Sequence, residues 1–374
     1  MSTVEQRVKP GVSIVIPTWN GLALLSRFLP SVLAAGSLYR KTSGAQVEVL
    51  VVDDGSTDHT PGWLIENGFR ASASRDFEES KTSGREPAGA GSERQISLEF
   101  VRNDVNRGFG ETCNRGFAAA TQPLVFLVNN DVEVCDDAIA PLVENFDDPS
   151  VFAAHCRVFD SSSGEECGTG KVGSFSRGFI RVHQSYAQKA TAGAEPLFSI
   201  FAGGGSAMFD RQKFREMGGF DPLLSPFYWE DVELSYRAWK RGFTVVYEPR
   251  STTRHSLSST IGKLKRSTVR QVEQRNRLIY HWIHLHDLGL LASHLAWLLL
   301  LTVTAPIRLN PGFIASTFAA LKRLPAIQKR RLEEKNRAKR TDREVFRIFE
   351  LLSARDDVVV YDGKQKPRLS GPIS

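Results

Sequence analysis

Short apolar, β-branched runs alternate with segments of helical periodicity along the first third of the chain. Residues 12–17 and 47–53 each end in turn-forming or acidic residues, which predicts buried parallel strands. Between them Leu22, Leu25, Phe28, Leu29, Val32 and Leu33 recur at helical spacing, so this stretch reads as a βαβ unit. Residues 98–101 and 124–129 predict two further strands, with a helix over about 110–120 between them. The expected fold class is α/β, a mainly parallel twisted sheet flanked by helices, and such sheets bind ligands beyond the carboxyl ends of their strands. Residues 71–95 interrupt the pattern. They are rich in Ser, Gly, Glu and Arg and lack apolar periodicity, which predicts a flexible surface insertion. The second half resumes with a strand at 151–159, a glycine-rich stretch at 201–206, a helix over about 232–241 and a strand at 244–247.

After His286 the character changes. Residues 288–305 are apolar except for Gly289, Ser293, His294, Thr302 and Thr304, a length that would just cross a bilayer. A simple span conflicts with the positive-inside rule, because a basic tail held in the cytosol would put the preceding residues outside. A helix pair lying in the interface resolves the conflict, as does a hydrophobic helix docked on the domain. The net charge of +6 lies in the tail: over residues 322–343 ten Lys/Arg stand against three Asp/Glu. That placement suits a solvated helical face or anionic lipid and gives no reason to expect nucleic acid. Cys113, Cys135, Cys156 and Cys167 form neither a CxxC pair nor a metal-finger pattern, and no cleavable signal is expected, so a reducing cytosol is the expected compartment.

Two motifs close the first two strands: Pro17, Thr18 and Asn20 after the first, and Asp53, Asp54 and Ser56 after the second. In a parallel sheet they face one crevice, where carboxylates can accept hydrogen bonds from a base or a ribose. The plainer reading is a turn and a helix cap. Asn106, Arg107 and Gly108, with Asn114, open a helix whose free N–H groups favour phosphate. The third glycine of a dinucleotide fingerprint is missing, which argues against NAD. Asn129, Asn130 and Asp131 end a buried apolar run, and a cation on Asp131 would offset charge on a departing diphosphate. A second acidic cluster, Glu230, Asp231 and Glu233, follows Phe227, Tyr228 and Trp229. A carboxylate in apolar surroundings gains basicity and can take a proton from a hydroxyl, although first-turn acids also complement a helix dipole.

These ordered motifs, over about residues 11–286, resemble family 2 glycosyltransferases of the GT-A fold, in the rhamnosyltransferase-like group. The resemblance implies an inverting transfer from a UDP-, dTDP- or GDP-linked sugar with Mg²⁺ or Mn²⁺. It places the base-recognising acids on Asp53 and Asp54, the metal on Asp131 with Asn129 in place of the usual first carboxylate, and the general base on Asp231 beside Glu230. His255 becomes a further metal ligand or diphosphate contact. Gly204, Gly205, Trp229 and Glu233 fall on the acceptor side. Residues 1–286 are then the glycosyltransferase domain, with a nucleotide-binding half (11–131) and an acceptor half (151–286). A hydrophobic helical segment (287–321) and a basic tail (322–374) follow. The expected acceptor is a glycan or lipid-linked glycan, at the cytoplasmic face of the plasma membrane through peripheral contact. A catalytically silent sugar-nucleotide or glycan-binding protein, or a nucleotidyltransferase, would be the alternatives.

Overall fold

The computed structural model describes residues 9–72, 96–189, 195–256, 265–307 and 310–361. Most of the expected insertion, and the last part of the tail, lie outside these residues. The parallel half of the central sheet runs β4 (Ser97–Arg102), β2 (Val47–Asp53), β1 (Val12–Thr18), β5 (Leu124–Val128), with β3 (Arg70–Ala71) at its edge. Register places Thr18 beside Asp53 and Asp53 beside Arg102, so the polar strand ends form one row. Beyond β5 the direction reverses. There β12 (Ser206–Asp210) runs antiparallel to both β5 and β7 (Val151–Asp160), and β13 (Thr244–His255) is parallel to β7. The short β6 (Val132–Val134) pairs with the end of β13, and β8 (Glu166–Gly168) and β11 (Leu197–Phe198) complete the sheet.

Both faces of this sheet are covered, which is why its strands read as continuous apolar runs. Along β5 the side chains alternate between two cores: Leu124, Phe126 and Val128 join one, and Val125 and Leu127 the other. Helix α1 (Leu22–Ser43) closes the first core with Leu25, Leu29, Val32, Ala35 and Tyr39. Among the described residues α1 is the helix long and apolar enough to cross a membrane, and its packing makes it a core helix. The short α2 (Thr60–Glu66) follows β2. On the other face lies α3 (Phe109–Ala119), where a Cβ on Gly116 would sit 2.4 Å from Val15, so only glycine allows the helix this close to β1.

Helices α4 (Ile139–Glu144), α5 (Arg211–Met217) and α6 (Glu230–Lys240) complete the nucleus. The long α7 (Arg266–His284) leads into α8 (Leu288–Thr304), α9 (Pro311–Leu321), α10 (Leu324–Arg337) and α11 (Asp342–Ser353). A second antiparallel sheet joins β9 (Lys171–Ser176), β10 (Phe179–Gln188) and β14 (Val358–Tyr361).

The described part of the expected basic tail is built into the domain. Ile327, Val345, Phe346, Phe349 and Leu352 enter the same core as β5 and α6, and β14 adds a strand to β10. Three of its charges meet partners inside the domain: Asp342 with Lys240 at 2.7 Å, Glu334 with Arg241 at 2.8 Å and Arg330 with Asp221 at 2.9 Å. A count of charges along the chain could not see partners about a hundred residues away.

Candidate active site

The strand-end loops are fastened to one another. Asn20 adopts a left-handed backbone (φ 48°), its N–H donates to Ser56 Oγ at 2.7 Å, and its Oδ1 accepts from Thr57 N at 2.8 Å. Asp54 N donates to Thr18 O at 2.8 Å, and Asn130 Nδ2 donates to Thr18 Oγ1 at 2.8 Å, while Pro17 is buried within β1. Gly55 (φ 72°) lets the second loop press on the third, since a Cβ there would lie 2.8 Å from the Val105 carbonyl carbon.

The two aspartates after β2 differ. Asp54 is saturated: its Oδ1 accepts from Asn103 Nδ2 at 2.6 Å and Arg107 N at 2.8 Å, and its Oδ2 accepts from Gly108 N at 3.0 Å. It shapes the loop of Asn106, Arg107 and Gly108 and has little capacity left for a base. Asp53 is fully buried and accepts from Ser56 N at 3.1 Å, while its Oδ2 has no hydrogen bond and faces Arg102 Nε at 3.2 Å. Burial raises its pKa against the pull of Ser56 and Arg102. Asn114 clasps the Phe220 backbone, donating to its O at 2.9 Å and accepting from its N at 2.8 Å.

Asp131 follows β5, and the β6–β13 pairing brings His255 to it from across the sheet, with His255 Nε2 3.1 Å from Asp131 Oδ1. That hydrogen bond raises the His255 pKa. Asn129 N donates to Gly205 O at 3.0 Å, and the buried Asn129 Oδ1 has no partner. A carboxylate, an imidazole and an orphaned amide oxygen suit a divalent cation, particularly Mn²⁺. Among the described residues no three His, Cys, Asp or Glu side chains converge, so donor phosphates or water would complete the coordination.

The second acidic cluster begins α6, after two consecutive left-handed residues, Tyr228 (φ 70°) and Trp229 (φ 76°). Such backbone persists only where its surroundings enforce it. Here Asn276 of α7 donates to Phe227 O and Tyr228 O, both at 2.9 Å, and to Leu224 O, while Arg275 donates to Ser225 O at 2.5 Å. The enforced turn presents Asp231, whose Oδ2 accepts from Gly204 N at 3.2 Å and whose Oδ1 accepts from Val232 N at 2.8 Å. Glu230 lines a cavity of about 370 Å³ with Arg107, Glu111, Asn114, Phe220 and Pro226, and its buried Oε2 has no partner. Burial raises both carboxyls, and the charge of Asp231 adds to the effect on Glu230.

Glu233, expected on the acceptor side, is sealed in the interior. It is bridged by Arg237 at 2.6 Å and His284 at 2.8 Å, and neither it nor Arg237 has exposed side-chain surface. Although burial opposes it, Arg237 and then His284 hold its pKa far below the usual carboxylate range. Of the polar and basic residues that follow His255 in the sequence, Lys265 and Arg266 are exposed at the start of α7, whereas Ser258, Ser259 and Lys263 lie outside the described residues. Asn103 and Asn276 are the residues sequence reasoning missed as loop clamps. Their partners are about fifty positions away, so no local pattern marks them.

The Gly203–Gly205 turn ties the two acidic sites together, because Gly204 bonds Asp231 and the next residue bonds Asn129. A parallel sheet extended by antiparallel strands, with acids at its carboxyl edge, defines a GT-A glycosyltransferase fold. The family profile described as "Glycosyltransferase like family 2" matches residues 85–274, and that described as "Glycosyl transferase family 2" matches residues 13–67. The chain belongs to glycosyltransferase family 2. It is similar to polypeptide N-acetylgalactosaminyltransferase 3 of Drosophila melanogaster, 25% identical over 256 residues that cover 67% of this chain and 35% of that one. It is also similar to poly-beta-1,6-N-acetyl-D-glucosamine synthase of Staphylococcus epidermidis, 22% identical over 269 residues, 71% of this chain and 55% of the relative. The chain therefore spans between about a third and just over half the length of these curated relatives. Among solved structures, GalNAc-T7 with UDP, GalNAc and Mn²⁺ superposes with a TM-score of 0.53 at 20% identity, covering 75% of this chain and 49% of that one. S. aureus TarS 1-349 in complex with UDP-GlcNAc superposes with a TM-score of 0.51 at 14% identity, covering 96% and 98%. These likenesses concern the fold.

Proposed function

We propose that the protein is an inverting, metal-dependent glycosyltransferase that moves a hexosyl or deoxyhexosyl group from a nucleotide diphosphate to a hydroxyl of a glycan or lipid-linked glycan. The observation that carries this reading is the shared glycine turn: one backbone segment bonds both the Asp231 carboxylate and the strand end that bears Asp131. Asp53, with Arg102 behind it, takes the nucleoside, and the N-terminus of α3 with Arg107 lies where the diphosphate would run. Asp131 and His255 hold Mg²⁺ or Mn²⁺, which when bound offsets the negative charge of the leaving diphosphate.

Asp231 accepts the proton of the acceptor hydroxyl as its oxygen bonds the anomeric carbon and the bond from that carbon to the diphosphate oxygen breaks, releasing the nucleoside diphosphate. One base and one displacement give inversion. Glu230, kept protonated by burial, leaves Asp231 as the ionised member of the pair. The UDP and Mn²⁺ named with the neighbouring GalNAc-T7 structure, and the UDP-GlcNAc named with TarS, make UDP-sugars the first donors to try, ahead of dTDP- and GDP-sugars. Catalysis takes place on the cytoplasmic face of the plasma membrane, with peripheral contact through the C-terminal helices.

The test is donor turnover with and without Mn²⁺ for the parent protein and Asp131→Ala. Metal-dependent release of nucleoside diphosphate that is lost in the variant supports the reading. Donor binding without turnover for any nucleotide sugar would replace it with a silent sugar-nucleotide-binding protein.

A further inference from the structure

One cationic surface beside the loop that carries Asp231 has no ion pair among the described residues. Arg181 and His183 lie on β10 where its register against β9 shifts, close enough to Arg277 of α7 for the three to act on one another, and Arg277 lays its guanidinium over the Phe179 ring at 4.4 Å. His183 meets Trp229, the residue before Glu230, edge-on at 5.8 Å. Among the described residues no carboxylate lies within ion-pair distance of Arg181 or Arg277, whereas Arg237, Arg241, Arg250 and Arg330 each have one. Burial first, and Arg181 second, push Arg277 down to about 10 against the weaker opposing pull of Glu273, and burial with Arg277, Lys171 and Arg181 lowers His183. Like charges gathered without an ion pair at contact distance are relieved by an anion.

The same surface continues into α8. The Phe179 ring contacts His294 at 5.0 Å, and Trp297 covers Gly178, where an added Cβ would lie 2.6 Å from its own. Leu290, His294 and Trp297 thus face the domain. At about 100° per residue Leu288, Leu295, Leu299 and Val303 form a stripe on the opposite side of α8, all more than half exposed, and Ile307 is exposed just past the helix end. Phe318 and Leu321 of α9 are exposed as well, followed directly by Lys322 and Arg323. An apolar stripe of this length marks an interaction surface, and basic flanks select an anionic one.

We propose that β10, α7 and α8 form the seat of a phosphate-bearing lipid, with Arg181, Arg277 and His183 taking the phosphate and the outer stripe of α8 taking the hydrocarbon. The head group is thereby directed past Trp229 towards Asp231. The inference rests on the glycosyltransferase reading for its purpose and names the acceptor class for that reaction.

Co-sedimentation of the full chain with vesicles tests it without any donor present. The parent protein is expected to bind phosphatidylcholine vesicles containing phosphatidylglycerol at least about tenfold more tightly than phosphatidylcholine alone. Arg181→Gln with Arg277→Gln removes that preference and leaves the weaker binding. Leu299→Glu with Val303→Glu, both at exposed positions, removes binding to either vesicle. Failure of the parent to sediment, or equal preference in the arginine variant, overturns the proposal. So does tight binding of inorganic pyrophosphate without vesicle binding, which would make the cluster a site for a free anion. Donor turnover measured without vesicles reports on the reaction separately, so either conclusion can fall while the other stands.

Discussion

Glu230 and Asp231 begin α6 and Glu233 follows within its first turn, yet the two sites have opposite chemistry. Glu233 has its hydrogen-bonding capacity filled by Arg237 and His284, and its proton is given up far more readily than that of an ordinary glutamate. Glu230 keeps an oxygen without a partner beside a cavity, and Asp231 is held only by backbone N–H groups, so burial makes both hold their protons more tightly. A saturated carboxylate builds the fold. An unsaturated one at a cleft is available for a substrate proton.

Asp231→Asn breaks this contrast most severely: transfer should fall by about 10²–10⁴-fold with the thermal midpoint nearly unchanged, as read by product formation and calorimetry. Glu233→Ala should do the reverse. Leaving Arg237 buried without its anion should cost about 3–5 kcal/mol of stability, measured by denaturant unfolding, and an unchanged midpoint would refute its structural assignment. His255→Asn sharpens the metal side, with an expected rise of about 10–100-fold in the Mn²⁺ concentration giving half-maximal turnover. Chelation by EDTA should abolish turnover in the parent protein.

The smallest effect concerns pH. Because its folded pKa is raised, Glu230 favours the folded state at low pH, and that contribution is lost as pH climbs from the ordinary glutamate value through the raised one. Glu230→Gln should therefore be stabilising by roughly 1 kcal/mol or more at pH 8 relative to the parent, and less so at pH 5. Glu233 has the opposite sign: its stabilisation is present above the ordinary value and fades as pH falls towards its depressed one. Relative to the parent, the Glu230→Gln difference should therefore change between pH 5 and 8, and the Glu233→Ala difference only below the ordinary glutamate value, with the opposite sign.

Much of the N-terminal half was legible because parallel strands covered on both faces must be mostly apolar, and β1, β2 and β5 are, with Ser13 and Glu48 hydrogen-bonded to each other inside them. The strand-end motifs were legible for the same topological reason. What could not be read was how each polar group there is employed. Asp53 and Asp54 are adjacent and look interchangeable, but Asp54 is consumed by Asn103, Arg107 and Gly108. The tail was read by charge alone, and its Asp342 and Glu334 turned out to be partners of Lys240 and Arg241.

Local order of apolar and polar residues thus determined the sheet, its helices and the edge at which acids would gather, since burial acts on each segment through its own periodicity. Only the folded chain decided which acids stay available, because a hydrogen bond or ion pair depends on groups that meet across the fold. Asn276 holding Tyr228, His255 reaching Asp131 and Arg237 closing over Glu233 are three such meetings.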